Sequence, residues 1–371
     1  MITSRLNSLI VIVIYGSLIL HSFLTVVNPL KVNKKANYWF GAFLFLWSTF
    51  WYDEIAQYTG SSVTSQYFSI SLHFIQYFTP ILFYFSILFY TNPNYKFRLT
   101  DLKYLILPGL YFSILLLQEW SGEQNQTLLL VFSLCLILGQ VILYTFLSYL
   151  RIRKHQKKIE VFASNTAEID LNWLEYIIFS ILALNIVVTL YNIFFTSLPL
   201  NVFINSFLLI IIFIVAYNSL KQKEIFPVDE NLRNEIILIE GEEQSGELKR
   251  KIIPDSDLEK LKSKLCELMM VKKPYLDSEL NLIKLAELLN MTPHHLSYII
   301  NNGFNENFFQ FINGYRVEKA KELLVNEEMN ELSILGIAFE SGFNSKTAFN
   351  TTFKKITGQT PSEFKTRSSG L

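Results

Sequence analysis

Cysteine is nearly missing from this 371-residue chain: Cys135 and Cys266 stand alone, in different regions. Such a pair suggests neither a disulfide framework nor a zinc site. The sequence also lacks metal-ligand spacing, a glycine-rich nucleotide loop and a nucleophile motif. An enzyme is therefore not expected, nor is a cofactor or a metal. Net charge is missing too, with 32 Lys+Arg against 32 Asp+Glu. What the chain has in excess is apolar surface. It is 51% hydrophobic and 15% aromatic, with a mean hydropathy of +0.29. That exceeds what a soluble domain needs.

The excess lies in seven N-terminal stretches, about Leu6–Leu30, Tyr38–Trp51, Tyr67–Tyr90, Tyr104–Leu117, Leu128–Leu150, Leu174–Phe195 and Val202–Leu220. A helix needs about 20 residues to cross a bilayer, so the second and fourth are short. The first is too long for a signal peptide and is followed by no small-residue cleavage site. Residues 1–220 are thus expected to form a seven-helix transmembrane bundle.

Basic loops orient such a bundle. The loop after the first stretch carries Lys31, Lys34 and Lys35, and the loop after the third carries Lys96, Arg98 and Lys103. Arg151, Arg153, Lys154, Lys157 and Lys158 follow the fifth, and Lys221 and Lys223 follow the seventh. The loops after the second, fourth and sixth contain no Lys or Arg. An odd number of spans with the N-terminus outside satisfies every loop and leaves the C-terminal part in the cytoplasm. Arg5 is the one charge on the wrong side. Polar residues inside the stretches (His21, His73, Gln140, Glu175, Asn185, Asn192 and Asn205) are candidates for a ligand site or for bonds between helices. The outer loops, made acidic by Asp53, Glu54, Glu119 and Glu123, are short, so a stimulus is expected to act within the membrane, at its outer surface or through another protein.

Residues 221–273 read as a flexible linker, with Glu240–Glu247 polar and Gly-containing, and then a connecting helix. Leu258, Leu261, Leu265 and Met269 give that helix a stripe of about two heptads. So short a stripe suits packing on the next domain better than a coiled coil.

The remaining residues, 274–371, carry one pattern twice. In the first copy Ile283, Leu285, Ala286 and Leu289 give a short helix one apolar face, and Asn290-Met291 breaks it. Thr292-Pro293 starts a second helix with a capping hydroxyl and a first-turn proline. Leu296, Ile299 and Ile300 are its buried stripe. In the second copy Ile334, Ile337 and Ala338 form the stripe, Gly342 supplies the turn, Ser345 caps, and Phe349 and Phe353 pack inward. A longer helix, roughly Asn307 to Asn326, lies between the copies.

These residues carry a resemblance. Pro274-Tyr275-Leu276, Leu285-Ala286 with Leu296-Ser297, and Phe311-Ile312-Asn313 with Arg316 match a known pattern. So do Ile337-Ala338, Gly342-Phe343, Phe353-Lys354-Lys355 and Gly358–Phe364. The segment resembles the C-terminal DNA-binding domain of the AraC/XylS family of bacterial transcription regulators. The resemblance implies an all-α domain with two helix–turn–helix motifs whose second helices enter successive major grooves. It implies base contacts from His294, Ser297 and Tyr298 in the first copy and from Lys346, Thr347, Asn350 and Thr351 in the second. Arg316, Lys319, Lys354 and Lys355 become phosphate candidates, Arg316 being equally a candidate for a structural bridge between helices. Tyr298 stands where many relatives have Arg, which favours the second copy as the base reader.

Charge alone does not announce this. Residues 226–371 carry 18 Lys+Arg against 22 Asp+Glu, while residues 343–371 carry 5 against 1, so only the end is basic. The expected function is a membrane-bound, sequence-specific transcription regulator in the cytoplasmic membrane of a bacterium, coupling a membrane signal to transcription. Its expected partners are double-stranded DNA, the lipid bilayer, RNA polymerase, a second copy of the chain and a signal or sensory partner. The alternative is a seven-span receptor or transporter with a protein-interaction tail. A docking face of that kind should be more aromatic and apolar than Lys346, Thr347, Asn350 and Thr351.

Overall fold

The computed structural model describes residues 2–28, 32–60, 65–120, 123–166, 169–194, 201–226, 253–326 and 332–369. Among them it is helical throughout, with one isolated β-bridge, between Ala163 and Asn281. The chain divides into two units. One holds residues 1–154 and 171–225; the other holds residues 155–170 and 226–371.

The first unit contains α1 (Ile2–Val27), α2 (Lys34–Ser48), α3 (Tyr52–Tyr58), α4 (Gln66–Gln76), α5 (Thr79–Thr91) and α6 (Ile106–Trp120). It also contains most of α7 (Glu123–Ile159), and α8 (Asn172–Phe194) and α9 (Asn201–Lys221). The third apolar stretch is broken between α4 and α5, where Pro80 occupies the first turn of α5. Proline fits there because its missing N–H would have no partner. Five segments among the described residues are long and apolar enough to cross a membrane: Arg5–Val27, Tyr67–Thr91, Leu99–Trp120, Asn125–Ile159 and Val202–Lys221. The expected count of seven is therefore not established. The short fourth stretch reaches length because a 3-10 turn, Leu99–Leu105, leads into α6. The second stretch yields only the 15 residues of α2, and the sixth an apolar run at Asn172–Leu184.

Helix α1 packs on α2 and α9, and α2 packs on α5. Gly41 lets α1 and α2 approach. A Cβ there would meet Val26 Cγ2 and lie 3.1 Å from the Ser22 carbonyl. Small residues at helix crossings let the two backbones approach closely. Three of the polar candidates join helices. His21 Nε2 meets Ser219 Oγ at 2.6 Å, Asn205 Nδ2 donates to Asn7 Oδ1 at 2.9 Å, and Glu175 lies 3.9 Å from Arg153. The side chains of Asn185 and Asn192, and the linker residues 227–252 with Glu240–Glu247, lie outside the described residues.

The second unit contains α10 (Asp255–Val271), α11 (Leu282–Leu288), α12 (Pro293–Gly303), α13 (Phe308–Val325), α14 (Ile334–Glu340), α15 (Lys346–Thr357) and α16 (Pro361–Ser369). The stripe of α10 packs on α12, with Leu265 and Met269 fully buried. Helix α13 is the spine. Val317, Ala320 and Leu324 meet Ile337, Ala338, Phe349 and Phe353 of the second copy in one core.

Residues 155–170 complete this unit. They include the last five residues of α7 and the chain that leads to α8. Ile159, Val161, Phe162, Ala163 and Ser164 are all buried. The Leu282 amide donates to the Phe162 carbonyl at 2.9 Å, and the Phe309 amide donates to the Glu160 carbonyl at 3.0 Å. Ser164 Oγ donates to the Leu280 carbonyl, and Asn313 Nδ2 donates to the Ser164 carbonyl at 2.9 Å.

Candidate nucleic-acid interface

Each helix of the two copies starts on a side-chain cap. Asn281 accepts from the Lys284 amide, Thr292 from His295, Ser333 from Gly336 and Ser345 from Ala348. A cap of this kind contributes about 1 kcal/mol. The turns between paired helices use left-handed backbone, at Asn290 (φ 54°) and Gly342 (φ 85°). At Gly342 the demand is also steric. A Cβ would collide with the Tyr275 carbonyl oxygen and lie 2.9 Å from Leu276 Cα. The turn therefore seats directly on the segment that opens the domain.

Helix α15 turns Phe349, Thr352 and Phe353 inward. Lys346, Thr347, Thr351 and Lys354 are exposed, and Asn350 is half-buried. At 100° per residue, Thr347, Asn350, Thr351 and Lys354 fall within an arc of roughly 100°. Lys355 lies further round, and its Nζ is engaged by Glu160 Oε1 at 3.2 Å and sits over the Phe309 ring.

The first copy differs. His294 and Tyr298 are half-buried, and His295 beside them is exposed. Ser297, expected at a base edge, is only 5% exposed, and its Oγ accepts from Asn301. It follows Leu296 by one step and precedes Ile300 by three, which puts it at the margin of the buried stripe. The exposed face of α12 is thus narrower than the resemblance implied.

Of its two expected roles, Arg316 takes the structural bridge and not the phosphate contact: it is 1% exposed and directs its donors mainly at backbone. Its Nε donates to the Tyr275 carbonyl and its Nη2 to the Asp277 carbonyl, both at 2.8 Å. Its Nη1 lies 3.3 Å from the Ser164 carbonyl. Burial lowers its pKa to about 10, against the upward pull of Asp277 and Glu279, so it stays charged at neutral pH. Lys319 pairs with Glu322 at 3.0 Å on the flank of α13.

The sequence reading missed Glu160 and Ser164. Glu160 meets Lys355, Asn307 Nδ2 at 3.4 Å and the Phe309 amide. The one available signal was Arg316 itself, a cation within an apolar helix face, which demanded acceptors from somewhere.

Two capped helix pairs flanking a shared spine define a tandem helix–turn–helix unit. Residues 285–367 match a family profile described as a helix-turn-helix domain. An uncharacterized HTH-type transcriptional regulator of Staphylococcus aureus is 36% identical over 88 residues, which is 24% of this chain and 11% of that protein. A second such regulator, from Staphylococcus aureus strain COL, is 34% identical over the same length and shares. The chain thus spans about a tenth of the length of these curated relatives. Among solved structures, the C-terminal domain of the two-component response regulator yesN from Fusobacterium nucleatum is 30% identical. That match covers 29% of this chain and 98% of the other, at a TM-score of 0.26. The C-terminal domain of AraT, a response regulator from Geobacillus stearothermophilus, is also 30% identical, over 30% and 84% of the two chains, at a TM-score of 0.25. The C-terminal part of this chain is an AraC-type helix–turn–helix domain, of the kind found in DNA-binding transcription regulators.

Proposed function

We propose that the chain is a membrane-bound transcription regulator that reads duplex DNA through α12 and α15 and receives its signal through the apolar unit. The observation that carries this reading is the placement of residues 155–170. They connect two apolar helices, α7 and α8, and are built into the DNA-binding unit by backbone pairing, buried side chains and the Arg316 clamp. A change in α7 or α8 then bears directly on the unit that reads DNA, with no need for a diffusing messenger. Support also comes from the loop charges, which orient α7 so that this segment faces the cytoplasm.

In this reading α15 reads bases with Lys346, Thr347, Asn350 and Thr351, and Lys354 meets phosphate. Helix α12 offers His294 and Tyr298 and does more to position the domain than to select sequence. The polar face of α15 favours base edges over a protein partner.

The full chain, reconstituted in lipid nanodiscs and incubated with a genomic DNA library at moderate salt, tests this. Enrichment of a defined sequence is the expected result. Retention of bulk DNA alone, with no sequence enriched, overturns the reading.

A further inference from the structure

The apolar unit holds a cavity of about 430 Å³, within the size range of small-molecule sites. Trp47 and Phe83 form part of its wall. Tyr77 and Tyr111 form another part, their rings stacked 4.2 Å apart. None of the lining residues is Asp, Glu, Lys or Arg.

Gln140 lines the same cavity and is 1% exposed. Its Nε2 donates to the Tyr77 carbonyl at 3.0 Å. A carbonyl only accepts, so the amide orientation is fixed by this bond. Gln140 Oε1 is then buried with no hydrogen-bond partner. Buried acceptors of this kind are nearly always paired, and the cavity that Gln140 lines is the open space beside it. The neighbouring polar groups do not supply a donor. Gln76 Nε2 donates to the Thr49 carbonyl, and Thr79 Oγ1 donates to the Gln76 carbonyl. His73, also on the wall, has Nδ1 2.8 Å from the Ser69 carbonyl. The hydrogen on Nδ1 is therefore directed at Ser69.

A wall with an unpaired acceptor and no counter-charge selects its occupant. A charged molecule would be desolvated without compensation. A bare hydrocarbon chain would fill the volume and leave Oε1 unpaired. We propose that this cavity is a binding site for a neutral amphiphile, with an apolar or aromatic body against Trp47, Phe83 and Tyr111 and one hydroxyl or amide N–H donated to Gln140 Oε1. The assignment rests on the reading of this unit as membrane-embedded and adds the chemistry of what it binds.

The test uses the full chain in phosphatidylcholine nanodiscs, titrated with 11-bromoundecan-1-ol and, separately, with 1-bromoundecane. Both probes quench tryptophan fluorescence, and they differ chiefly by the hydroxyl. Comparison with Trp47→Phe isolates quenching at the cavity wall. The alcohol should quench that share saturably, with half-saturation about tenfold below the alkane. Gln140→Leu should erase the difference. Equal, non-saturating quenching by both probes in the unaltered chain means ordinary lipid chains occupy the cavity, and the assignment fails. It fails too if a folded Gln140→Leu chain keeps the preference. Co-flotation of the chain with vesicles is scored separately. A chain that floats without preferring the alcohol sinks the site alone; a chain that does not float sinks the membrane reading.

Discussion

The Arg316 guanidinium and the Ser164 carbonyl lie 3.3 Å apart although 152 positions separate them in the chain. The same guanidinium holds the carbonyls of Tyr275 and Asp277. One buried cation thus joins the α7–α8 connection, the opening turn of the DNA-binding domain and its central helix.

Replacing Arg316 should be felt as stability rather than as DNA affinity. Arg316→Ala removes every one of these bonds and should destabilise the second unit by about 3 kcal/mol or more. Arg316→Lys keeps the charge but loses the planar fork, and should recover only part. Hydrogen exchange at the Leu282 amide, whose acceptor is the Phe162 carbonyl, measures both. A folded Arg316→Lys chain should keep the salt dependence of DNA binding unchanged; a reduced slope would return Arg316 to the phosphate contacts.

Acid should loosen the same corner. Partial burial pushes the Asp277 carboxyl up, but the Glu279 amide, the Lys284 side chain and the Arg316 charge together hold it below its ordinary 3.8. A depressed folded pKa gives stability that is present above 3.8 and lost as pH falls through the folded value. Melting of the second unit should therefore steepen with acid below about pH 4, and Asp277→Asn should flatten that limb. An identical pH profile in the variant would remove Asp277 from the account.

Glu160 pairs with Lys355, one of the phosphate candidates. In Glu160→Gln the Lys355 ammonium loses its carboxylate, and non-specific DNA affinity at low salt should rise a few-fold, with the salt slope steeper by up to about 1. The stability change should stay within about 1 kcal/mol, because Lys355 is half exposed. Titration of DNA against the full chain at several salt concentrations gives both quantities. An unchanged slope would mean that Lys355 does not approach phosphate.

Two neighbours on α15 should separate base reading from anchoring. Asn350→Ala should cost about 1–3 kcal/mol on the preferred sequence and relax selectivity at one position. Lys354→Ala should weaken all sequences alike and lower the salt slope by about 1. Library selection with each variant distinguishes them, and matching behaviour would show that the two roles are assigned wrongly.

The local parts of the candidate interface were legible in the sequence because they rest on short-range chemistry. Thr292 and Ser345 announce caps, Gly342 a turn, and Phe349 with Phe353 a buried stripe, each within a few residues of what it organises. Ser297 was misplaced by leaning on resemblance where helical phase already set it at the edge of the buried arc. Residues 155–170 were not legible. Val161, Phe162 and Ala163 make an apolar run too short to signal anything, beside basic residues that fit any cytoplasmic loop. Their partners, Leu280, Asn281, Leu282, Phe309 and Arg316, lie more than 100 positions away, and no periodicity reports such a pairing. The number of spans was illegible for a related reason: α2 is only 15 residues long and opens on Lys34 and Lys35, and composition does not set where a helix ends.

The double passage of the chain through its second unit has a consequence for proteolysis. A single cut between residues 226 and 253 severs the backbone to α10 and the helices after it, but it does not detach them. Phe162, Ser164 and Glu160 still grip Leu282, Arg316 and Phe309 from a peptide that remains joined to α7 and α8. Liberation of the domain would require a second cleavage, or unfolding of this grip, so a protease acting once would nick the chain and leave the domain joined to α7 and α8.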